Sequence, residues 1–280
     1  DECPNPDEVV AWGYSAEARR LAGEAAAGWP APGVVRDAND KRTSHRIEQE
    51  LGVALPRSGV VSSAHELHAA ADALGGRWVA KHPFGVSGRD QVRAEGAEPR
   101  ALARAEALLK EAGALVVEPL LTIAREWSVQ FDIFEGRNLT YRGATELLTD
   151  SAGVFRGNIA PATDLPAEVL ETASKAIEHL LELGYHGPVG IDSHLAILHG
   201  ERILRPIGEI NARLTFGRLA LWLSDSFGGS RLAWHHPSRR RDLLEQPAGH
   251  VSLPDSIDPG HRSRTTVEVS KTGIISASSS

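Results

Sequence analysis

The segment "RPIGEINARLTFG" (residues 205–217) places Glu209, Asn211 and Arg213 at alternate positions, with small or apolar residues between them. In an extended strand alternate side chains share a face, and residues two apart are separated by about 6.6 Å. One side of the strand would then carry a carboxylate, an amide and a guanidinium. Carboxylate and amide oxygens are hard ligands of the kind that hold Mg²⁺, which takes few protein groups alongside substrate phosphates. The guanidinium is a planar fork of donors suited to a phosphate or a carboxylate. In the preceding stretch "GIDSHLAI", Asp192 stands among apolar residues. Paired across a hairpin, it would reach the same cation. An ordinary half-exposed hairpin with its polar face in water fits the same pattern, so the rest of the chain must decide.

Lys81 ends the apolar run "RWVAKH" and leads into "PFGVSGRD". A lysine facing a loop of small residues suits a phosphate, because Gly85, Ser87 and Gly88 let backbone N–H groups approach the anion. The alternative is a surface hairpin with an exposed lysine. The loop has no G-K-[ST] of a Walker A motif, and Arg89 stands where a nucleophile elbow needs its last glycine. Glu118 closes "ALVVE", and Glu126 opens the next extended run after a short linker. Such a linker can offer backbone groups to an adenine and a carboxylate to a ribose; equally, both acids can be solvated strand ends. His82, His186 and His194 read as structural residues before general bases. The adjacent pair His235–His236 cannot face one ligand from a single element, and Cys3 has no partner. Arg142 and Arg156 fall in strands, where either meets an anion or is solvated.

These residues sit in a chain of 280 residues with 41% hydrophobic and 24% charged side chains, enough for roughly two ordinary domains with buried cores. A net charge of -7 argues against a nucleic-acid partner, and the one basic run, Arg239–Arg241, is followed by "DLLEQ". A single cysteine excludes an internal disulfide and fits a reducing cytoplasm. No apolar run approaches the roughly 18 residues of a membrane-spanning helix; "GALVVEPLLTIA" is broken by Glu118. No signal-peptide pattern opens the sequence. The expectation is a cytoplasmic protein with no membrane partner, a homodimer being the default assembly. Methionine is absent, position 1 included, so a fragment is also expected.

The elements that must position the candidate residues are readable. "SAEARRLAGEAAAG" predicts a helix capped by Ser15, and "KRTSHRIEQELG" a second one ending near Gly52. "AHELHAAADALGG" and "EPRALARAEALLKEAG" predict helices closed by glycines, while "WPAPG" breaks the chain. "RWVAKH" and "ALVVEPLL" predict strands; "EWSVQFDIF", "NLTYRGATEL" and "GVFRGNIAP" predict an antiparallel series. In "PAEVLETASKAIEHLLELG", Val169, Leu170, Ala173, Ala176, Ile177, Leu180 and Leu181 line one helical face. "PVGIDSHLAIL" and "RILRPIGEINA" predict a hairpin around "HGE". Helices with mostly antiparallel strands make an α+β pattern.

In that order, "NDK…ELGVALP", "WVAKHPFGVSGRD", "LVVEPLL…REWSV", "GPVGIDSHL" and "RPIGEINARLTFG" resemble the successive elements of ATP-grasp enzymes over about residues 39–222. The resemblance implies an α+β fold in which two lobes clasp ATP under a glycine-rich loop. It divides the chain into a remnant of an N-terminal α/β domain (1–38), lobe 1 with that loop (39–115), lobe 2 with the metal site (116–232) and a tail of unknown role (233–280). It implies that Lys41 and Lys81 hold phosphates, that Gly85, Ser87 and Gly88 cover them, and that Glu118, Pro119, Leu120 and Leu121 line the adenine. Glu126 would bind the ribose; Asp192, Glu209 and Asn211 would hold Mg²⁺ or Mn²⁺; Arg213 would steady the transferred phosphoryl group, with Lys81, or the substrate carboxylate. The implied activity is an ADP-forming ligase joining a small-molecule or peptide carboxylate to an amine or thiol through an acyl phosphate. A small-molecule kinase and a non-catalytic ATP-binding module are the alternatives.

Overall fold

The computed structural model describes residues 11–85, 90–136, 138–150, 155–229, 231–235, 250–252 and 266–270. Helix α1 (Ala16–Ala22) is capped by Ser15, whose side chain accepts from the Ala18 amide at 3.0 Å. A 3₁₀ turn (Gly23–Ala26) leads to α2 (Pro32–Ala38), a helix where the sequence suggested only a break. Pro32 opens α2 at the one helical position where its missing N–H costs nothing. Helix α3 (Lys41–Glu50) follows at once, capped by Asp40, whose carboxylate accepts from the Arg42 amide at 2.8 Å.

A four-stranded antiparallel sheet comes next, in the order β1 (Gly59–Val61), β4 (Leu115–Pro119), β2 (Arg77–Lys81) and β3 (Gln91–Glu95). Helix α4 (Ala64–Leu74) starts at a capping box between Ser63 and Glu66 and stops at Gly75, φ 64°. Leu67, Ala71 and Leu74 of α4 join Ala101, Leu102, Ala105 and Leu109 of α5 (Pro99–Ala112) against Trp78, Ala80, Leu115 and Val117. The last four alternate along β2 and β4, so both helices cover one face.

The second sheet has eight strands in the order β11–β12–β10–β7–β6–β5–β8–β9, each antiparallel to its neighbours. They are β5 (Thr122–Phe134), β6 (Asn138–Thr149), β7 (Phe155–Ala160), β8 (Gly187–Leu198), β9 (Glu201–Asn211), β10 (Arg231–His235), β11 (His250–Ser252) and β12 (Thr266–Ser270). Helix α6 (Ala167–Glu182) buries Val169, Ala173, Ala176, Ile177 and Leu180 against Phe131, Ile133, Val189, Ile191 and Ile207. Leu170 and Leu181 sit at the edge of that stripe, partly buried. The other face of the sheet receives α7 (Phe216–Ser226), which the sequence did not announce. Its Gly217 lies against Gln130 and Thr145, where a Cβ would meet side-chain atoms at 2.9 Å. Strands β10 to β12 extend the sheet into the segment expected as a featureless tail.

The α6 stripe yields a direct test. Leu180→Ala is expected to lower the unfolding free energy by about 2–5 kcal/mol, the usual cost of emptying a buried leucine site. Leu181→Ala should cost visibly less. Equal losses in urea denaturation would contradict the packing of α6.

Candidate functional site

The β8–β9 hairpin turns at His199–Gly200, and its register sets Asp192 opposite Glu209 and Gly190 opposite Asn211. Asn211, the last residue of β9, links Asp192 to Arg213, which lies past the end of the strand and not on its alternating face. Asn211 Nδ2 donates to Asp192 Oδ2 at 3.1 Å, and the Arg213 guanidinium donates to Asn211 Oδ1 at 2.6 Å. Lys41, the first residue of α3, donates to Glu209 Oε1 at 2.7 Å and to the Gly85 carbonyl at 2.5 Å. Two further contacts hold α3 there. The Lys41 amide donates to the Pro83 carbonyl at 3.0 Å. The Asn39 side chain accepts from the Ala212 amide at 3.0 Å and donates to the Ala212 carbonyl at 3.2 Å, pairing with the chain as another strand would.

Electrostatics at this point are unfavourable by design of the register. Burial, then the Glu209 carboxylate opposite, pushes the Asp192 carboxyl up from 3.8 to about 6, against a hydrogen bond from Ser128. Among the described residues no group of three or more His, Cys, Asp or Glu gathers for a metal. The oxygen set here is two carboxylates and one amide, and its neighbouring cations are Lys41 and Arg213. A hard divalent cation that keeps most of its shell for water and phosphate fits that set, whereas a zinc-type cage does not.

A second charged group lies between the sheets. Lys81 and Arg205 converge on Glu118: Lys81 bonds Oε1, and the Arg205 guanidinium donates to Oε1 at 3.0 Å and Oε2 at 2.9 Å. Arg205 Nε also donates to Glu48 Oε1 at 2.9 Å. Burial raises the Glu118 carboxyl pKa, but Arg205 and Lys81 overcome that and hold it well below the usual carboxylate range. The solvated strand end considered for Glu118 is therefore excluded, and its carboxylate is already engaged. Leu120 donates its amide to the Arg77 carbonyl at 2.9 Å, Pro119 ends β4, and Leu121 is half-buried. Glu126 is likewise no free acid. It lies 3.2 Å from His194 Nε2 and accepts from Thr149 at 2.6 Å; these bonds outweigh burial and lower its pKa. His194 in turn lies over Gly208, where a Cβ would come within 2.1 Å of the ring.

The structure also brings in residues that sequence reasoning passed over. Ser128 donates to Asp192 Oδ1 at 2.6 Å, Gln130 donates to Ser128 at 2.8 Å, and Thr215 donates to Gln130 Oε1 at 2.6 Å. Thr215 is the N-cap of α7, so a buried chain of hydrogen bonds runs from Asp192 to that helix. Its trace in the sequence is the alternation of Ser128 and Gln130 with Trp127, Val129 and Phe131, which alone reads as a wet face. Other expected residues lie elsewhere. His82 accepts from the Phe84 amide at 3.0 Å, His186 bonds the Gly28 carbonyl at 2.8 Å, Arg142 pairs with Asp132 at 2.7 Å, and Arg156 pairs with Asp150. Ser87, Gly88, Cys3, His236, Arg239–Arg241 and the side chain of His235 lie outside the described residues.

The family model described as L-aspartate--L-methionine ligase, ATP grasp, matches residues 89–202. No curated protein matches in sequence. N5-carboxyaminoimidazole synthetase from Staphylococcus aureus, complexed with ADP, superposes with a TM-score of 0.63 at 14% identity, over 86% of this chain and 70% of that one. Biotin carboxylase from Campylobacter jejuni superposes at 0.66 and 14% identity, over 92% and 70%. The biotin carboxylase domain dimer of Hydrogenobacter thermophilus 2-oxoglutarate carboxylase, holding MgADP, ADP and bicarbonate, superposes at 0.63 and 16%, over 91% and 67%.

The Asp192–Glu209 pair makes stability depend on pH. A raised carboxyl pKa means that the folded chain binds the proton more tightly than the unfolded one. The associated stability is present below 3.8 and lost as pH rises through about 6. Mg²⁺ held by this pair would offset the charge that this ionisation creates. The rise in thermal midpoint on adding Mg²⁺ is therefore expected to be larger near about pH 7.5 than near about pH 5. Equal rises at both would contradict metal binding at this pair.

Proposed function

We propose that this chain, whose fold is that of the ATP-grasp superfamily, is an ATP-dependent ligase. It activates a carboxylate as an acyl phosphate and joins it to an amine, releasing ADP and phosphate. The observation that carries this reading is the meeting of two bonded sets, Lys41 with Glu209 and Asp192 with Asn211 and Arg213, where the β8–β9 register sets Asp192 opposite Glu209. Phosphoryl transfer asks little covalent chemistry of a protein and much positioning and charge neutralisation. This group offers those means, and the reaction needs no protein nucleophile.

In this reading the nucleotide lies between the two sheets. Lys81 and Lys41 bind its phosphates, each leaving the carboxylate that now holds it, Glu118 or Glu209. Gly85, Ser87 and Gly88 belong to the loop over the phosphates; Glu118, Pro119, Leu120 and Leu121 border the base, and Glu126 takes the ribose once Thr149 or His194 yields. Asp192, Glu209 and the Asn211 amide oxygen would hold Mg²⁺ (or Mn²⁺), which when bound neutralises phosphate charge. Ser128 keeps Asp192 in place, and Arg213 steadies the transferred phosphoryl group or the substrate carboxylate. The matched family model names two amino acids as the substrates of its ligase, and amino acids or short peptides are the class proposed for this chain too. We assign residues 39–115 and 116–232 to the two lobes, with β4 of the first sheet lying across their boundary.

Among the described residues no helix is long and apolar enough to cross a membrane. A cytoplasmic setting and a homodimer belong to the same proposal.

The test is ADP release measured with panels of carboxylates and amines supplied separately and together. The expected result is release that needs both. Release with one substrate and recovery of its phosphorylated form would replace the ligase with a kinase. Glu209→Ala should abolish turnover with an unchanged far-UV spectrum and thermal midpoint within a few degrees, since the residue serves a cation and 37% of its side chain is exposed. Full turnover in that variant would remove Glu209 from the site.

A further inference from the structure

Arg205 is a buried charge that the reaction described above does not use. It is 4% exposed, and the carboxylates it binds, Glu118 and Glu48, are 3% and 2% exposed. Three elements meet at its guanidinium: β9 of the large sheet, β4 of the small sheet, and α3. The same helix and strand already carry Lys41 and Glu209, so α3 is fastened to β9 at both ends, by Lys41–Glu209 and by Glu48–Arg205. With Lys81 the group comprises two acids and two bases, and its charges cancel. Lys81 is the member nearest solvent, with 22% of its side chain exposed.

We infer that Arg205 is a positioning residue: it satisfies Glu118 with a two-pronged bond, so that Lys81 can leave Glu118 for the nucleotide phosphates. This rests on the nucleotide reading of Lys81. A buried carboxylate cannot be left without a counter-charge except at a large cost. If Lys81 were the sole partner of Glu118, moving it to a phosphate would strand the carboxylate, and the lysine would stay where it is. Arg205 removes that obstacle because its two terminal nitrogens leave each oxygen with a charged donor when Lys81 departs. Lysine is no substitute at this position. Arg205 uses Nε for Glu48 and the Ile207 carbonyl while the other two nitrogens serve Glu118, a division that a single ammonium cannot reproduce. Simple cohesion of α3, β4 and β9 does not require this arrangement, since apolar side chains of similar volume often do as well without desolvating charges.

The experiment measures Mg²⁺-ADP affinity by calorimetry for the full chain and for Arg205→Met, Arg205→Lys, and each of these combined with Glu118→Gln. The expected result is a loss of about tenfold or more in the Arg205→Met variant, comparable to the cost of removing an outer partner that orients a ligand at a metal site. Adding Glu118→Gln should recover most of it, because a neutral amide no longer pins Lys81. A purely structural Arg205 would lower the thermal midpoint, leave the affinity of the folded fraction unchanged, and give no recovery in the double variant; that result overturns the inference. If Arg205→Met does not fold, Arg205→Lys carries the same comparison, with weaker binding restored by Glu118→Gln as the supporting outcome and unchanged affinity as the opposing one. A wild-type chain that binds no Mg²⁺-ADP would instead overturn the nucleotide reading itself.

Discussion

Two carboxylates, Asp192 and Glu209, face each other across neighbouring strands, and burial of Asp192 strengthens the effect of the charge opposite. Like charges in that position repel, and the surrounding structure is organised around holding them there. Lys41 reaches Glu209 from the start of α3, and Asn211 and Ser128 donate to the two oxygens of Asp192. Each of these donors is itself held: Lys41 by the Pro83 and Gly85 carbonyls, Asn211 by Arg213, and Ser128 by Gln130. A site kept under electrostatic tension in this way favours whatever brings positive charge into it.

The support extends well beyond the pair. Gln130 passes from Ser128 to Thr215, and Thr215 caps α7, so the helix on the far face of the large sheet is tied to the acid on β8. Gly217 lets the first turn of α7 settle onto Gln130 and Thr145, and Gly208 leaves room for the His194 ring beside Glu126. On the other side, Arg205 joins β9 of the large sheet to β4 of the small sheet. Polar groups this deep are stabilising only while every partner is in place. The networks thus give the two sheets a defined relation to each other.

Local pattern was a good guide to elements with a strong period or a clear stop. The apolar stripe of α6, the capping box of α4, the glycine ends of α4 and α5, and the β8–β9 hairpin all follow from neighbours in the chain. It failed where the signal was tertiary. Helix α2 begins at a proline that reads as a breaker, and α7 is defined by the surface it covers. Strands β10 to β12 are brief and gain their place by pairing with β7 and one another.

The sharing of one face by Glu209 and Asn211 was determined by sequence alone, because a strand has a period of two; Arg213, expected on the same strand, instead lies beyond the end of β9, its amide donating to the Asn211 carbonyl at 2.8 Å. The chemistry of the group was also determined by sequence, since oxygen ligands and a guanidinium are properties of residue types. The partners were not. Nothing local relates Lys41 to Glu209, or Glu48 and Glu118 to Arg205, across more than eighty residues of chain. Sheet order, hairpin register and the docking of α3 on β9 decided those meetings. Burial then decided their meaning, turning Glu118 from a solvated strand end into an ion-paired anchor and Asp192 into an acid that resists ionisation. Charge takes its energy from distance and dielectric, and both exist only once the chain has folded.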